Sequence, residues 1–247
     1  MQNWDADAIL LSIRKHGENG AVVRVLTKDY GIYGGYVRGG TSRRQRGVLQ
    51  VGNSFAAHWK ARVSDQLGYL TLEPIRERAA LVMNDMDRLA GLTAAMSLTA
   101  LCVPERLAYP ALFEALEGVL DAMVHEDAHP IVWGMALARY ELGLLEELGF
   151  GLDLSRCAAT GAEEDLIYVS PKSGRAVSAA AGETYKDKLL SLPRFLKDNG
   201  RPAQSPMDVV RALRLTGYFL DHHVLQAKNA DPPEARRRLI ERFSKLE

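Results

Sequence analysis

The sequence predicts an α+β protein, in which a small β-barrel is followed by a mainly helical domain. Residues 1–75 contain short runs of Val, Ile, Leu, Tyr and Thr separated by Gly, Asn and Asp, which is typical of strands joined by tight turns. Residues 76–247 instead place apolar residues at helical spacing. The two segments therefore follow different patterns, and we predict a domain boundary near Pro74, because proline ends strands readily.

Five strands are predicted in the first segment. They cover residues 8–13, 21–27, 31–38, 53–62 and 68–73. Within the fourth, Phe55, Ala57 and Trp59 fall on one face and polar residues alternate with them, which indicates a half-buried strand. Closing the sheet into a barrel would leave no exposed edge. An SH3-like barrel fits this number of strands as well.

Helices dominate the second segment. The predicted helices cover residues 78–101, 109–125, 131–148, 205–226 and 232–243. Pro110 suits a first turn, Gly149 suits a helix end, and Ser205 with Asp208 suggests a capping box. Residues 155–182 interrupt this pattern with Gly and Pro and with a β-like run at 166–170, so we predict a small insertion there.

Charge is distributed unevenly, although the formal net charge is zero. Residues 1–80 carry twelve Lys and Arg against seven Asp and Glu, which leaves 19 and 24 for the remainder. A basic first segment favours a polyanion partner. Two domains with ordinary surfaces account for the same numbers equally well.

Several other classes of protein are disfavoured. The N-terminus carries Asp5 and Asp7 without a basic region before an apolar run, so it does not resemble a signal peptide. No run reaches the ~18 apolar residues of a membrane span. Cys102 and Cys157 are too few for a disulfide framework. These features predict a cytoplasmic protein with no membrane partner.

The segment 38–47 is the most informative stretch for function. It holds Arg38, Arg43, Arg44 and Arg46 among glycine and hydroxyl residues. Arginines bind phosphate in a bidentate manner, and glycines let the backbone approach a ligand, so we favour a flexible phosphate-binding loop over a merely solvated turn. Nearby aromatic residues could stack on bases, although packing in the core is favoured for each: Tyr30, Tyr33, Tyr36 and Trp59.

Catalytic and cofactor motifs are not found in the sequence. No P-loop, dinucleotide fingerprint, G-x-S-x-G elbow or H-E-x-x-H motif occurs. His222 and His223 would point about 100° apart on a helix and so make a poor metal site. Cys157 begins a C-x-x-C frame whose second thiol is replaced by Thr160. A structural zinc site needs four ligands, so we predict no metal. Because no catalytic or cofactor motif is found, we also predict no cofactor and no enzymatic activity.

Short segments distributed along nearly the whole chain resemble the RecO family of bacterial recombination mediators. They lie at residues 14–18, 25–27, 30–31, 37–39, 49–53, 59–62, 67–68 and 140–150, followed by Cys157. No single one of these segments is diagnostic. Their order and spacing together are specific.

The resemblance implies an N-terminal five-stranded OB-fold β-barrel, followed by an α-helical domain with a small zinc-knuckle-like insertion. Some members bind zinc there through two C-x-x-C pairs. The corresponding positions here are Cys157, Thr160, Ser178 and Ala181, so the knuckle is degenerate and no zinc is expected. It further implies a non-enzymatic, nucleoid-associated protein that binds single- and double-stranded DNA and anneals strands. RecR and the C-terminal tail of the single-strand-binding protein are its implied partners, and it helps load recombinase onto coated strands.

Site residues follow in part from this resemblance. The candidate DNA-binding residues are Arg14, Lys15, Arg24, Arg38, Arg43, Arg44, Arg46, Lys60 and Arg62. Arg139 is the candidate for binding the acidic, apolar tail of the partner. The alternative is a surface arginine paired with a nearby Glu. The last helix offers a second phosphate-binding face or only a solvated one, formed by Arg236, Arg237, Arg238 and Arg242.

Three alternatives to a DNA-binding mediator remain at this point. An OB-fold RNA-binding protein would use the same barrel residues. A nuclease or phosphoryl-transfer enzyme would need clustered carboxylates, which the sequence does not reveal. A protein adaptor would bind an acidic partner through the basic segment but would have no affinity for DNA.

Overall fold

A computed structural model describes residues 2–63, 67–127, 129–197 and 201–246 of the chain. The chain forms two compact units, Met1–His125 and Glu126–Glu247. The first unit contains the barrel together with the three helices that follow it. The division into domains 1–75 and 76–247 stays a prediction about which segments fold independently.

The first unit is built on a closed five-stranded barrel, which confirms the expected OB-fold. Its strands are β1 (Gln2–His16), β2 (Gly20–Thr27), β3 (Gly31–Val37), β4 (Ser54–Ala61) and β5 (Gly68–Arg76). The strand order is β1-β2-β3-β5-β4, and a short helix α1 (Arg43–Val48) lies between β3 and β4. Strands β3 and β5 are parallel, whereas the other neighbours are antiparallel.

Two strands extend beyond their predicted ends. Strand β1 begins at Gln2 instead of residue 8, because its first half pairs with β4 and its second half pairs with β2. Strand β5 runs past Pro74 to Arg76, and Pro74 lies opposite Phe55 beside a register shift. The predicted end at residue 73 was therefore wrong. The shift shows how the proline is accommodated, because an irregular ladder tolerates a residue without an N–H donor.

The barrel core follows the predicted alternation in β4. Phe55, Ala57 and Trp59 are buried, as predicted from their period-two spacing. Trp59 stacks on Trp4 with ring centroids 5.9 Å apart, and its indole nitrogen donates a hydrogen bond to Gly34 O at 3.2 Å. Large side chains thus fill the interior of this small barrel.

Three helices complete the first unit: α2 (Arg78–Val82), α3 (Met86–Cys102) and α4 (Pro110–Val124). The predicted helix 78–101 is divided in two, because Asp85 caps α3 by accepting hydrogen bonds from Asp87 N and Arg88 N at 2.9 and 3.0 Å. Buried Arg78 donates to Ser54 at 2.6 Å and to Asp121 at 2.8 Å. These bonds connect α2 to β4 and α4.

The second unit is mainly helical and carries a small sheet. Its helices are α5 (Pro130–Glu147), α6 (Ala179–Gly182), α7 (Arg194–Lys197), α8 (Pro206–Phe219) and α9 (Glu234–Phe243). A π-helical turn (Leu220–Leu225) and a 3-10 turn (Gln226–Lys228) extend α8. The sheet has the order β7-β6-β8 and consists of β6 (Leu166–Val169), β7 (Ala176–Ser178) and β8 (Leu190–Ser191).

The starts of α8 and α9 were predicted in part. Ser205 is the N-cap residue of α8 and Pro206 is its first residue, as predicted. The Ser205 side chain forms no capping hydrogen bond within the described structure, and Gln204 N instead donates to Asp208 at 3.0 Å. Helix α9 begins at Glu234 instead of residue 232, after two consecutive prolines. Among the described helices, none combines the length and apolar character that crossing a membrane requires.

Candidate nucleic-acid interface

The outer surface of the barrel carries a row of side chains set by the strand registers. Each member lies opposite the next on the neighbouring strand. In order, the row contains Arg14, Val22, Tyr36, Tyr69 and Lys60. Because side chains alternate along a strand and Gly35 and Leu70 are buried, this row faces outward. Two of the predicted DNA-binding cations therefore lie on one line with two tyrosines, and we call this line the outer row.

The basic segment after β3 lies against the β1–β2 turn. Thr41 N donates to Asn19 O at 3.4 Å, and the Thr41 hydroxyl donates to Glu18 O at 3.3 Å. Lys15 lies opposite Ala21, which lies opposite Val37, the residue before Arg38. The structure thus gathers Lys15, Arg38 and the start of α1 at the same end of the barrel.

Residues 43–48 form helix α1 instead of the predicted flexible loop. Ser42 caps this helix by accepting a hydrogen bond from Gln45 N at 3.3 Å. The Arg46 Nε donates to Thr41 O at 2.9 Å, while Arg43 and Arg44 are exposed. Three of the candidate arginines are consequently presented on an ordered turn of helix.

Eight of the nine candidate cations form no ion pair with any described residue: Arg14, Lys15, Arg38, Arg43, Arg44, Arg46, Lys60 and Arg62. Arg24 differs, because it pairs with Glu105 at 3.0 Å and donates to Ala100 O at 3.0 Å. Its side chain is directed to the end of α3 and the segment that follows. Arg62 comes directly after β4, next to residues 64–66, which lie outside the described structure.

The aromatic residues divide between core and surface. Trp59 lies in the core, as favoured from the sequence, whereas core packing was wrong for Tyr30, which is 38% exposed and stacks on Trp4 at 5.0 Å. Tyr36 lies outside and meets Tyr69 edge to face at 5.8 Å. Sequence reasoning missed Tyr69, although Leu70 and Leu72 are the inward residues of β5 and the alternation between them already places Tyr69 outside.

Arg139 lies on α5 in the second unit and packs against α7. Its Nη2 donates to Phe195 O at 3.0 Å, and its guanidinium lies 5.7 Å from the centre of the Phe195 ring. Its Nε is buried and has no hydrogen-bond partner among the described residues. Neither of these contacts is with a glutamate.

Phe195 also lines a groove of about 660 Å³ in the same unit. The groove has apolar walls that include Ile167 and Leu192, and arginines contribute to its lining. These arginines are Arg194, Arg201 and Arg211, and Arg211 pairs at 3.1 Å with Asp208, which also lines the groove. An apolar surface bordered by cations is the chemistry that an acidic peptide with an apolar end requires.

The degenerate knuckle positions do not fit a zinc ion. Ser178 N and Ser178 Oγ donate to the Cys157 sulfur at 3.3 and 3.4 Å, so the serine acts as a donor to sulfur. Burial raises the pKa of the Cys157 thiol, but hydrogen bonds from Ser178 and Thr160 outweigh it and lower the pKa to about 6. One thiolate does not make a four-ligand site. The described residues contain no group of three His, Cys, Asp or Glu side chains suited to a metal.

The second phosphate-binding face considered for the last helix does not include Arg236. This arginine is buried, and it donates to both carboxylate oxygens of Glu141 at 2.8 and 2.7 Å. Arg237 and Arg238 are exposed but pair with Glu234. Buried Arg236 is thus structural, and the exposed pair Arg237 and Arg238 is already compensated by Glu234.

Comparisons with known proteins agree with the fold. The model for the N-terminal domain of recombination protein O matches residues 1–78, and the model for its C-terminal domain matches residues 83–231. A DNA repair protein RecO from Rhodospirillum centenum is 48% identical over 244 residues, covering 98% of this chain and 95% of that protein. Its counterpart from Phenylobacterium zucineum is 46% identical, covering 98% and 97%. The resemblance found in the sequence is confirmed, and the chain belongs to the RecO family of DNA repair proteins.

Proposed function

We propose that this protein is a non-enzymatic DNA-binding recombination mediator. It binds and anneals single-stranded DNA, and it helps load recombinase onto strands coated by single-strand-binding protein in the cytoplasm, at the nucleoid. The observation that carries the proposal is a set of eight cations without described ion pairs, seven of which lie at one end of the barrel or on its outer row. Uncompensated cations can neutralise phosphates and release the counterions of the nucleic acid.

The arrangement also supports annealing. Two strands repel one another through their phosphates, and a surface with more cations than one strand engages lowers that repulsion. Helix α1 and the outer row present separate groups of cations on the same barrel. Duplex binding uses the same phosphate contacts, so both single- and double-stranded DNA are ligands of this surface.

Protein partners are proposed for the second unit and for the whole chain. The groove lined by Phe195, whose carbonyl accepts a hydrogen bond from Arg139, supports binding of the acidic, apolar C-terminal tail of the single-strand-binding protein, because it joins apolar walls to arginines. We propose RecR as a further partner, because members of the resembled family work with it. A change in elution volume when the two proteins are mixed tests that partnership.

A salt titration of oligonucleotide binding tests the central proposal. The variant changes Arg43, Arg44 and Arg46 to Ala and is compared with the unchanged protein. Each lost phosphate contact on a single strand reduces the log–log salt slope by about 0.7, so we expect a slope shallower by about 2 units. Absence of binding at low salt would contradict the proposal and favour a protein adaptor.

A matched variant separates local contacts from total charge. It removes three exposed arginines that already pair with carboxylates: Arg156, Arg175 and Arg237. We expect its salt slope to stay close to that of the unchanged protein. Competition between DNA and RNA of the same sequence, measured alongside, distinguishes the OB-fold RNA-binding alternative, which requires preference for RNA.

A further inference from the structure

The outer row contains two tyrosines that take no part in the proposed phosphate contacts. Tyr36 and Tyr69 lie opposite each other where β3 and β5 run parallel. Their ring centroids are 5.8 Å apart, and the rings are nearly perpendicular, at 89°. Tyr69 is 57% exposed, so much of this aromatic side chain meets solvent on the surface of the barrel.

The two rings are held differently. Tyr36 packs over Gly20 at the start of β2, where a Cβ atom would lie 2.1 Å from the tyrosine hydroxyl. His16 meets Tyr36 edge to face at 5.9 Å, which supports the ring from the β1–β2 turn. Tyr69 projects further outward. Glycine at position 20 therefore makes room for a fixed ring against which Tyr69 is positioned.

Cations lie at both ends of this pair. Along the row, Arg14 lies two strands before Tyr36, and Lys60 lies directly opposite Tyr69. Neither cation has an ion pair within the described residues. An exposed aromatic surface between two available cations matches a single strand, whose bases and phosphates alternate along its length.

We infer that Tyr69, supported by Tyr36, is a base-stacking platform for single-stranded nucleic acid, with phosphates bound by Arg14 and Lys60. This inference rests on the proposed function and adds a means of distinguishing single strands from duplex. Bases in a duplex already stack on their neighbours, whereas an unpaired base can turn onto an aromatic ring. Stacking also depends little on salt, unlike phosphate contacts.

The test compares Tyr69→Ala, Tyr69→Leu and Tyr69→Phe by fluorescence anisotropy with a labelled single strand and the matching duplex. We expect Ala and Leu to weaken single-strand binding about fivefold to a hundredfold, because stacking on one base is lost. Phe keeps the ring and retains affinity. Duplex affinity and the salt slope stay unchanged in all three variants.

Tyr185 provides a matched control, because it is 59% exposed but lies on the second unit. We expect Tyr185→Ala to bind single strands as the unchanged protein does. The Leu variant keeps apolar cover on the barrel, so an effect shared by Ala and Leu reports the lost ring and not lost folding. Thermal denaturation of each variant checks this directly.

The possible results of these binding measurements distinguish the stacking platform from the proposed DNA-binding function on which it rests. If the unchanged protein fails to bind single strands at low salt, the proposed function is overturned. If it binds with a steep salt slope but Tyr69→Ala binds equally well, only the platform is overturned. Equal weakening of single-strand and duplex binding also overturns the platform, since stacking on unpaired bases cannot produce it.

Discussion

Arg236 and Arg237 are adjacent on α9 and have opposite surroundings. The Arg236 side chain is only 9% exposed and forms a bidentate pair with Glu141, which also accepts a hydrogen bond from Thr216. Arg237 is 62% exposed and pairs with Glu234 and Glu241. A buried carboxylate that loses its cation is left desolvated without compensation, whereas an exposed one regains water.

We therefore expect Arg236→Met to lower the free energy of unfolding by about 3–5 kcal/mol. The matched change Arg237→Met should have a much smaller effect, because its ion pairs are exposed to solvent. Urea denaturation of both variants measures the difference. Equal effects from the two substitutions would contradict the structural role given to the buried pair.

The sequence could not distinguish these two arginines. Arg236 and Glu141 are 95 residues apart, so their pairing depends on how α9 packs against α5. The same limit applies to Arg24, whose partner Glu105 is also distant in sequence. By contrast, local features suffice for the exposed cations of the segment 38–47, because glycines and hydroxyl residues already indicate a surface position.

At the scale of elements, the small sheet of the second unit is connected to Cys157 by hydrogen bonds. Ser178, at the end of β7, donates two hydrogen bonds to the Cys157 sulfur. Burial raises the pKa of this thiol, and the hydrogen bonds from Ser178 and Thr160 more than reverse that effect, to a pKa of about 6. The knuckle therefore holds a thiolate at neutral pH.

This thiolate predicts a pH-dependent contribution to stability. The folded-state pKa lies below the ordinary thiol value of about 8.5, so the contribution is complete above that value and is lost as the pH falls toward 6. We expect the difference in free energy of unfolding between the unchanged protein and Cys157→Ala to grow from pH 6 to pH 9. Urea denaturation at several pH values measures it.

Ser178→Ala provides the companion variant. Removing the hydroxyl donor takes away one of the bonds that lower the thiol pKa, so its pH dependence should be shallower than that of the unchanged protein. A stability difference for Cys157→Ala that stays constant over the whole range would show that the thiol does not ionise in this window.

Elements with a local pattern were predicted well, and those defined by distant pairing were not. The alternation in β4 located a strand and its inward face. The choice between an SH3-like barrel and an OB-fold depends on the parallel β3–β5 pair, which no local pattern reveals. The first half of β1 was missed for the same reason, because its pairing with β4 connects residues more than 40 positions apart.

At the scale of the whole molecule, the two compact units carry different candidate surfaces. The cations proposed for DNA belong to the first unit, and the groove beside Arg139 belongs to the second. The excess of Lys and Arg is a property of residues 1–80 and not of the whole first unit, because residues 81–125 add two Lys and Arg against six Asp and Glu. The proposed binding of coated strands requires both surfaces, one for the nucleic acid and one for the coating protein.

If the two surfaces act separately, a variant in the groove should lose only peptide binding, and a variant in the barrel should lose only DNA binding. We expect Arg139→Ala to weaken binding of an acidic peptide with an apolar C-terminus by about tenfold to a hundredfold, the effect of losing a hydrogen bond to a charged group. Its affinity for bare DNA should not change. The variant lacking Arg43, Arg44 and Arg46 should show the reverse pattern.

Fluorescence anisotropy with a labelled peptide and a labelled oligonucleotide measures both affinities for each variant. A peptide without its apolar end is the control. If attraction between charges alone held the peptide, the protein would bind this shortened peptide with the same affinity. Arg139 also packs on Phe195, so Arg139→Lys keeps a cation while losing the planar stack. If Arg139→Ala leaves peptide binding intact, the groove is not the tail site. If it weakens DNA binding equally, the two surfaces are not separate, because a contact confined to the second unit should leave the barrel cations unaffected.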